Sequence, residues 1–188
     1  PRLLRSEVPV RSVTNGVHLS SWMHPELQRL CGGGAEPIRG ADVRERAAKL
    51  DPRALWAART ALRARFLAHA RSSIERAFVD RHDSPALLAK MLEGLDPDAL
   101  LVGFARRFAP YKRADLVLRD LERLKALFTD PRRPVRLFFA GKAHPRDTEG
   151  QKILRKVVEI TRSPEFAGRI FFLEDYDIEL ARALVQGV

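Results

Sequence analysis

The spacing of apolar residues differs between the first 50 residues and the rest of the chain. Residues 1–50 follow no sustained period, although Val8–Val13 is compatible with a short strand. The triple glycine Gly32-Gly33-Gly34 and Pro37 interrupt any longer regular element. This part of the chain is therefore predicted to be an irregular connector.

A long amphipathic helix is predicted after residue 50. Asp51 offers a capping side chain, and Pro52 lacks an N–H that the first helical turn does not need. The residues that follow at steps of four or seven are all apolar and define one face of a long helix or of two joined helices: Leu55, Leu62, Phe66, Ala70, Ile74 and Phe78.

Beyond Asp96-Pro97-Asp98, strand and helix patterns alternate three times. Leu100–Phe104 is a continuous apolar run, which predicts a strand buried on both faces. Two further strands are predicted at Val135–Ala140 and Ile170–Leu173. A helix is predicted after each strand, over 114–128, over 153–161 and from about Asp177. Such alternation favours an α/β fold, a doubly wound parallel sheet of Rossmann-like type with helices on both faces.

Composition narrows the class of protein. The 188 residues are 45% hydrophobic and carry a net charge of +10, which describes a foldable domain and excludes disorder as the main interpretation. The apolar run Ala99–Ala105 is far shorter than a membrane span, and the first residues lack a signal-peptide core, so we expect a soluble, cytoplasmic protein. The single cysteine, Cys31, can form neither an internal disulfide nor a cysteine-based zinc site. Because the chain begins at Pro1 and stops at Val188 just after a helical pattern, we expect a fragment.

The candidate chemistry lies in the loops that follow the strands, because ligands of parallel sheets bind at the carboxyl ends of the strands. These loops are Ala105–Pro110, Gly141–Thr148 and Glu174–Asp177. The segment from Arg106 to Arg113 holds four cations, two on each side of an apolar centre. Arginine binds two phosphate oxygens at once and lysine supplies a movable charge, so this segment predicts a phosphate site. A solvated basic turn is the alternative.

Four segments of the chain resemble, in order and spacing, the α-glucan phosphorylases, the glycogen and maltodextrin phosphorylase family. The likeness is strongest to the shorter bacterial and archaeal branch and extends over nearly the whole chain, with 52–95 its least diagnostic part. The segments are Thr14-Asn15-Gly16-Val17-His18, Phe104–Arg113 (FARRFAPYKR), Gly141-Lys142-Ala143-His144-Pro145 and Phe172-Leu173-Glu174-Asp175-Tyr176.

This resemblance implies a glycosyltransferase that cleaves an α-1,4-glucan with inorganic phosphate, releases α-glucose 1-phosphate with retention, and uses pyridoxal 5′-phosphate as cofactor. It also implies that residues 1–20 end an N-terminal domain and connect it to a C-terminal α/β domain. Residues 21–188 would then be the first part of that domain, with a helical lead-in at 51–95 and β/α repeats at 98–188. The lysine that attaches the cofactor is expected beyond residue 188, so the isolated chain is expected to be inactive.

The resemblance also implies roles for individual residues. Arg107 and Lys112 match the catalytic, phosphate-binding cations, and Tyr111 matches a tyrosine of the sugar site. The other matched positions bind glucose or the cofactor in the family. Asn15 matches a residue that binds a glucose hydroxyl, Arg106 matches a basic residue near the cofactor phosphate, and Tyr176 matches a tyrosine near the cofactor. From the residues alone, the Asn-Gly pair at Asn15 indicates a turn, and Tyr176 at a strand end indicates ring packing.

Some positions depart from the family or carry a weaker indication. The animal and plant enzymes have His-Glu where this chain has Ala109-Pro110, so these two positions support no catalytic role. Lys142 is interpreted as structural or peripheral. His18 could reach the sugar pocket, but a lone histidine is more often a structural group.

Two other functions stay open. A nucleotide-sugar glycosyltransferase also places arginine and lysine near a diphosphate, and a bound pyridoxal cofactor would exclude it. The charge of +10 could indicate nucleic-acid binding, for which a salt-dependent DNA affinity with sequence preference would be evidence. The cations are mostly arginines scattered along amphipathic helices, without interleaved aromatic residues, so we expect neither a nucleic-acid partner nor a membrane partner. No metal site is predicted.

Overall fold

The computed structural model describes residues 16–33 and 40–188. The chain divides into two compact units, residues 1–50 and residues 51–188, and each is described by itself.

The described part of the first unit is mainly helical. It contains α1 (Leu19–Trp22), α2 (Pro25–Leu30) and α3 (Gly40–Ala47). The ring of His24 accepts a hydrogen bond from the Glu26 N–H and so caps α2. The prediction of an irregular connector is therefore wrong for these residues. Their helices are too short to show a hydrophobic period in the sequence, and local capping stabilises them. The strand predicted at Val8–Val13 lies outside the described residues.

A helix of 29 residues, α4 (Pro52–Asp80), begins the second unit. The carboxylate of Asp51 accepts hydrogen bonds from the N–H groups of Arg53 and Ala54, which confirms the predicted cap. The predicted apolar face is buried from Leu62 onward, and the helix is continuous rather than two joined pieces. A second helix, α5 (Pro85–Glu93), follows.

The rest of the second unit alternates strands and helices and confirms the predicted α/β class. The elements are β1 (Leu100–Ala105), α6 (Leu121–Thr129), β2 (Val135–Ala140), α7 (Thr148–Arg162), β3 (Ile170–Leu173) and α8 (Ile178–Gly187). The three strands form one parallel sheet in the order β1-β2-β3, with Ala105 beside Ala140 and Ala140 beside Leu173. Because the strands are parallel, their carboxyl ends share one edge of the sheet.

β2 is the centre of the core, because apolar residues cover it on both faces. The ring of Phe138 lies 4.9 Å from that of Phe66 on α4 and stacks 4.7 Å from that of Phe171 on β3. Phe139 points to the opposite face, where it packs in a second cluster with Leu124 of α6 and other residues. The two clusters hold the carboxyl ends of the strands in fixed relative positions.

The prediction that the first strand is buried on both faces is wrong. Leu101 is buried, but Leu100 is 62% and Val102 is 41% exposed. Among the described residues, β1 pairs with one strand, β2, and lies at the edge of the sheet. A continuous apolar run indicates that a strand is suited to burial on both faces. It does not indicate which neighbouring elements cover those faces in this chain.

The helix predicted over 114–128 is also only partly correct. Two short 3₁₀ turns, Pro110–Lys112 and Leu116–Leu118, precede α6. Arg113 has a left-handed backbone (φ 54°), which ends the first turn, and the carboxylate of Asp120 accepts from the Arg123 N–H to begin α6 afresh. Ala114 and Leu118 are both buried, although neither belongs to an α-helix. Their spacing in the sequence therefore resembles the hydrophobic period of a helix. Across 16–33 and 40–188, no helix has the length and apolar character to cross a membrane.

Candidate functional site at the carboxyl edge of the sheet

The four predicted cations lie on the segment that leaves β1, residues 106–113, called here the cationic loop. Its first residues continue beside the end of β2: the Arg106 N–H donates to the Ala140 carbonyl (3.2 Å), and the Phe108 N–H donates to the Lys142 carbonyl (3.0 Å). The ring of Phe108 is fully buried. This anchoring fixes the backbone on both sides of Arg107, while the Arg107 side chain stays exposed. Lys142 contributes its backbone carbonyl here, while its side chain is exposed.

Two glycines allow the cationic loop to lie this close to its neighbours. A Cβ on Gly141, whose φ is +149°, would lie 2.0 Å from the Arg106 carbonyl oxygen. A Cβ on Gly150, in the first turn of α7, would lie 2.4 Å from the Phe108 carbonyl oxygen. Both distances are far below van der Waals contact, so neither position accepts a side chain without a backbone shift. Neither glycine has a role predicted from the sequence, where the available signals are a glycine just past a strand and another inside a helix.

Arg107 and Lys112 converge on one side chain. Nη2 of Arg107 donates to the hydroxyl of Tyr111 (3.4 Å), and Nζ of Lys112 lies 4.7 Å from the centroid of the Tyr111 ring. The 3₁₀ turn Pro110–Lys112 brings these residues together, because it folds the loop back on itself. Tyr111 is 65% exposed, so the two cations and the hydroxyl present one accessible, positively charged surface.

The two cations change the acidity of Tyr111. The hydrogen bond from Arg107, and then the charge of Lys112, lower the pKa of the Tyr111 hydroxyl below its ordinary value. The cause is that both groups favour the phenolate over the neutral phenol. The same field favours any other anion at this surface.

We therefore expect Arg107→Gln and Lys112→Gln each to raise the pKa of Tyr111 back toward its ordinary value. The chain has two tyrosines, so a Tyr176→Phe background leaves Tyr111 as the only phenol whose absorbance is followed during a pH titration. Arg113→Gln is the matched control, because it removes a cation of the same loop that does not contribute to the lowered pKa. An unchanged titration in both variants, or an equal rise in the control, would contradict the geometry.

The two predicted cofactor residues, Arg106 and Tyr176, lie on the same edge of the sheet. Arg106 follows β1 directly and is exposed. Tyr176, half-buried in the loop after β3, donates its hydroxyl hydrogen to the Ala105 carbonyl at 3.5 Å. Its ring therefore reaches the residue that precedes Arg106. The structure thus brings Arg107, Tyr111 and Lys112 into one cluster and places Arg106 and Tyr176 beside the start of the same loop.

The remaining candidates belong to the first unit. Asn15 lies outside the described residues. His18 precedes α1, and its Nδ1 lies 2.7 Å from the Ser21 hydroxyl, which gives the ring a local structural partner. Within 16–33 and 40–188, no group of three or more histidine, cysteine, aspartate or glutamate side chains is arranged to hold a metal ion.

The fold and this edge define an α/β protein with a cationic surface at the carboxyl ends of parallel strands. No protein-family model matches the chain. Curated relatives do: maltodextrin phosphorylase of Thermococcus litoralis is 40% identical over 97% of this chain, and glycogen phosphorylase of Aquifex aeolicus is 41% identical over 97%. Glycogen phosphorylase of Mycobacterium tuberculosis is 39% identical over 96% of the chain.

These relatives confirm the resemblance: the chain is homologous, almost from end to end, to a stretch of the glycogen and maltodextrin phosphorylase family. The chain spans only part of each relative, 22% of the Thermococcus enzyme, 27% of the Aquifex enzyme and 21% of the Mycobacterium enzyme.

Proposed function

We propose that these 188 residues act within a longer protein that is an α-1,4-glucan phosphorylase. Its reaction transfers a terminal glucosyl unit of the glucan to inorganic phosphate and yields α-glucose 1-phosphate with retained configuration. The observation that carries the proposal is the convergence of Arg107 and Lys112 on Tyr111 at the carboxyl edge of the sheet. The names of the homologous relatives support the substrate class.

The chemistry of the cationic loop fits a site that holds phosphate groups. A guanidinium matches two phosphate oxygens, and an ammonium can follow the charge as it moves. Two phosphates held near each other repel, and cations placed beside them in advance offset that repulsion. Arg107 would bind and orient the substrate phosphate, and Lys112 would stabilise its charge while the glycosidic bond breaks.

The side chains of Arg106 and Tyr176, beside the start of the cationic loop, suit the binding of pyridoxal 5′-phosphate. The exposed guanidinium of Arg106 would bind the cofactor phosphate, and the ring of Tyr176 would pack against the cofactor from the neighbouring loop. When bound, this cofactor supplies a phosphate that holds the reacting phosphate and shares its proton. Tyr111 would line the glucose site, and Asn15 would bind a glucose hydroxyl. The lysine that attaches the cofactor is proposed to lie outside these residues.

We also propose that the complete fold is doubly wound and Rossmann-like. Helices α4 and α8 pack on one face of the sheet, α6 and α7 contribute to the other, and β1 presents Leu100 and Val102 at an open edge. α8 follows β3 in the chain, yet it packs on α4 and reaches β1. A strand that followed α8 would therefore add beside β1 through a right-handed crossover.

In the proposed domain division, residues 1–20 end an N-terminal domain and residues 21–188 begin the C-terminal domain of a cytoplasmic protein.

The test is an assay of the full-length protein with a linear α-1,4-glucan and inorganic phosphate. Glucose 1-phosphate should form only with both substrates, and removal of pyridoxal 5′-phosphate should abolish it reversibly. The 188-residue chain alone should form none. Turnover of a nucleotide-sugar without dependence on phosphate or the pyridoxal cofactor would contradict the proposal and favour the other class of glycosyltransferase.

A further inference from the structure

A chain of alternating charges lies where the ends of α4, α7 and β3 meet. Arg81, the residue after α4, donates from Nε to Asp83 (2.7 Å) and from Nη1 to Glu174. Arg162, at the end of α7, donates to the other oxygen of Asp83. We call the four side chains Arg81, Asp83, Arg162 and Glu174 the ion-pair brace.

The two guanidinium groups of the ion-pair brace lie over the same aromatic ring. Their Cζ atoms lie 5.3 Å (Arg81) and 5.8 Å (Arg162) from the centroid of the buried Phe78 ring. The hydrogen bond from Arg162 is the largest cause of the lowered pKa of Asp83, followed among the favourable contacts by that from Arg81. Arg81 therefore has little freedom, since one side of its guanidinium meets a ring and two of its nitrogens meet carboxylates.

The brace contributes more to geometry than to stability. Arg81 and Glu174 are 34% and 39% exposed, and ion pairs at such exposure add little to the free energy of folding. Glu174, however, is the first residue after β3 and begins the loop that carries Tyr176. The next residue, Asp175, has a left-handed backbone (φ 53°), a conformation that a residue with a side chain adopts at a cost.

The loop Glu174–Asp177 is thus held at both ends. Arg81 binds its first side chain, and the carboxylate of the last, Asp177, accepts from the Leu180 N–H and caps α8. Tyr176 lies between these anchors, and its hydroxyl reaches Ala105 at the long distance of 3.5 Å. A small rotation of the loop would break that contact and move the ring away from the start of the cationic loop.

We propose that Arg81 is a positioning residue: through Glu174 it orients the loop that carries Tyr176 against the end of β1, and so shapes the binding edge for the pyridoxal cofactor. The inference rests on the proposed function. It adds a role for Arg81, whose contact with Glu174 joins residues 93 positions apart and so leaves no local signal in the sequence.

The test uses the full-length protein freed of cofactor, and three variants: Arg81→Gln, Glu174→Gln and the double variant. Each single variant should weaken binding of pyridoxal 5′-phosphate, followed by cofactor fluorescence, about 2- to 30-fold, the range found for residues that act through a neighbour. The thermal midpoint of the cofactor-free protein should stay within about 2 °C. Because both residues act through one contact, the double variant should lose no more than the worse single variant.

The matched control is Lys125→Gln, which breaks an exposed ion pair of similar kind between Lys125 and Glu165, away from the loops at the carboxyl edge. It should leave cofactor affinity unchanged. Cofactor affinity of Arg81→Gln within twofold of the wild type, or losses that add in the double variant, would overturn the inference. A wild-type protein that neither binds the cofactor nor carries out phosphorolysis would contradict the proposed function instead.

Discussion

Replacing Arg107 with glutamine in the full-length protein is expected to lower kcat/KM for phosphorolysis by about 10²–10³-fold, the usual cost of removing one preorganised group that stabilises charge in the transition state. Glutamine retains a hydrogen-bonding end but lacks the charge and the fork that bind two phosphate oxygens. The backbone on either side of Arg107 is fixed by hydrogen bonds to residues 140 and 142, so neighbouring side chains cannot easily take its place. Steady-state rates at varied phosphate concentration measure the effect.

The control for this prediction is Arg133→Gln. Arg133 is an exposed arginine that precedes β2, at the opposite edge of the sheet, and its loss changes the net charge by the same amount. The control should retain nearly full activity. If the two variants lost activity equally, or if Arg107→Gln left the phosphate dependence unchanged, the cationic loop would not be the phosphate site.

The repeating elements were predictable because their signals are local. β2 and β3 have the predicted bounds. In β2, every residue of Phe138–Ala140 is buried, so a continuous apolar run marks the strand and no alternation is needed. The cap at Asp51 was visible as an Asp-Pro pair directly before a helical period, whereas Asp177 was predicted only as the approximate start of a helix. The contact of Arg107 with Tyr111 was not predictable in this way, because it depends on the 3₁₀ turn Pro110–Lys112, which no hydrophobic period indicates.

Other features depend on contacts between distant residues and left no local signal. The exposure of Leu100 depends on which strand lies next to β1. The close approach of Gly150 to Phe108 joins the first turn of α7 to the cationic loop. A sequence pattern indicates which structure each segment prefers. These features are instead determined by the elements that the fold places next to the segment.

Gly150→Ala is expected to impair phosphate use by about 10- to 100-fold, since a displacement of the order of 1 Å at a reacting group can have that cost. The added Cβ would lie 2.4 Å from the Phe108 carbonyl oxygen, which is backbone and cannot rotate away. The cationic loop must then move outward, and Arg107, the preceding residue, moves with it. Alanine is the better helix former, so the helix itself does not explain a loss.

The measurement separates displacement of the loop from damage to the fold. Phosphate KM should rise in Gly150→Ala, while circular dichroism shows the helical content retained. Thr148→Ala alters an exposed residue of the same helical turn and should have little effect on KM. Normal phosphate use by Gly150→Ala would contradict this prediction. Because the position of Arg107 depends on the contact between Gly150 and Phe108, groups other than Arg107 would then have to hold the phosphate.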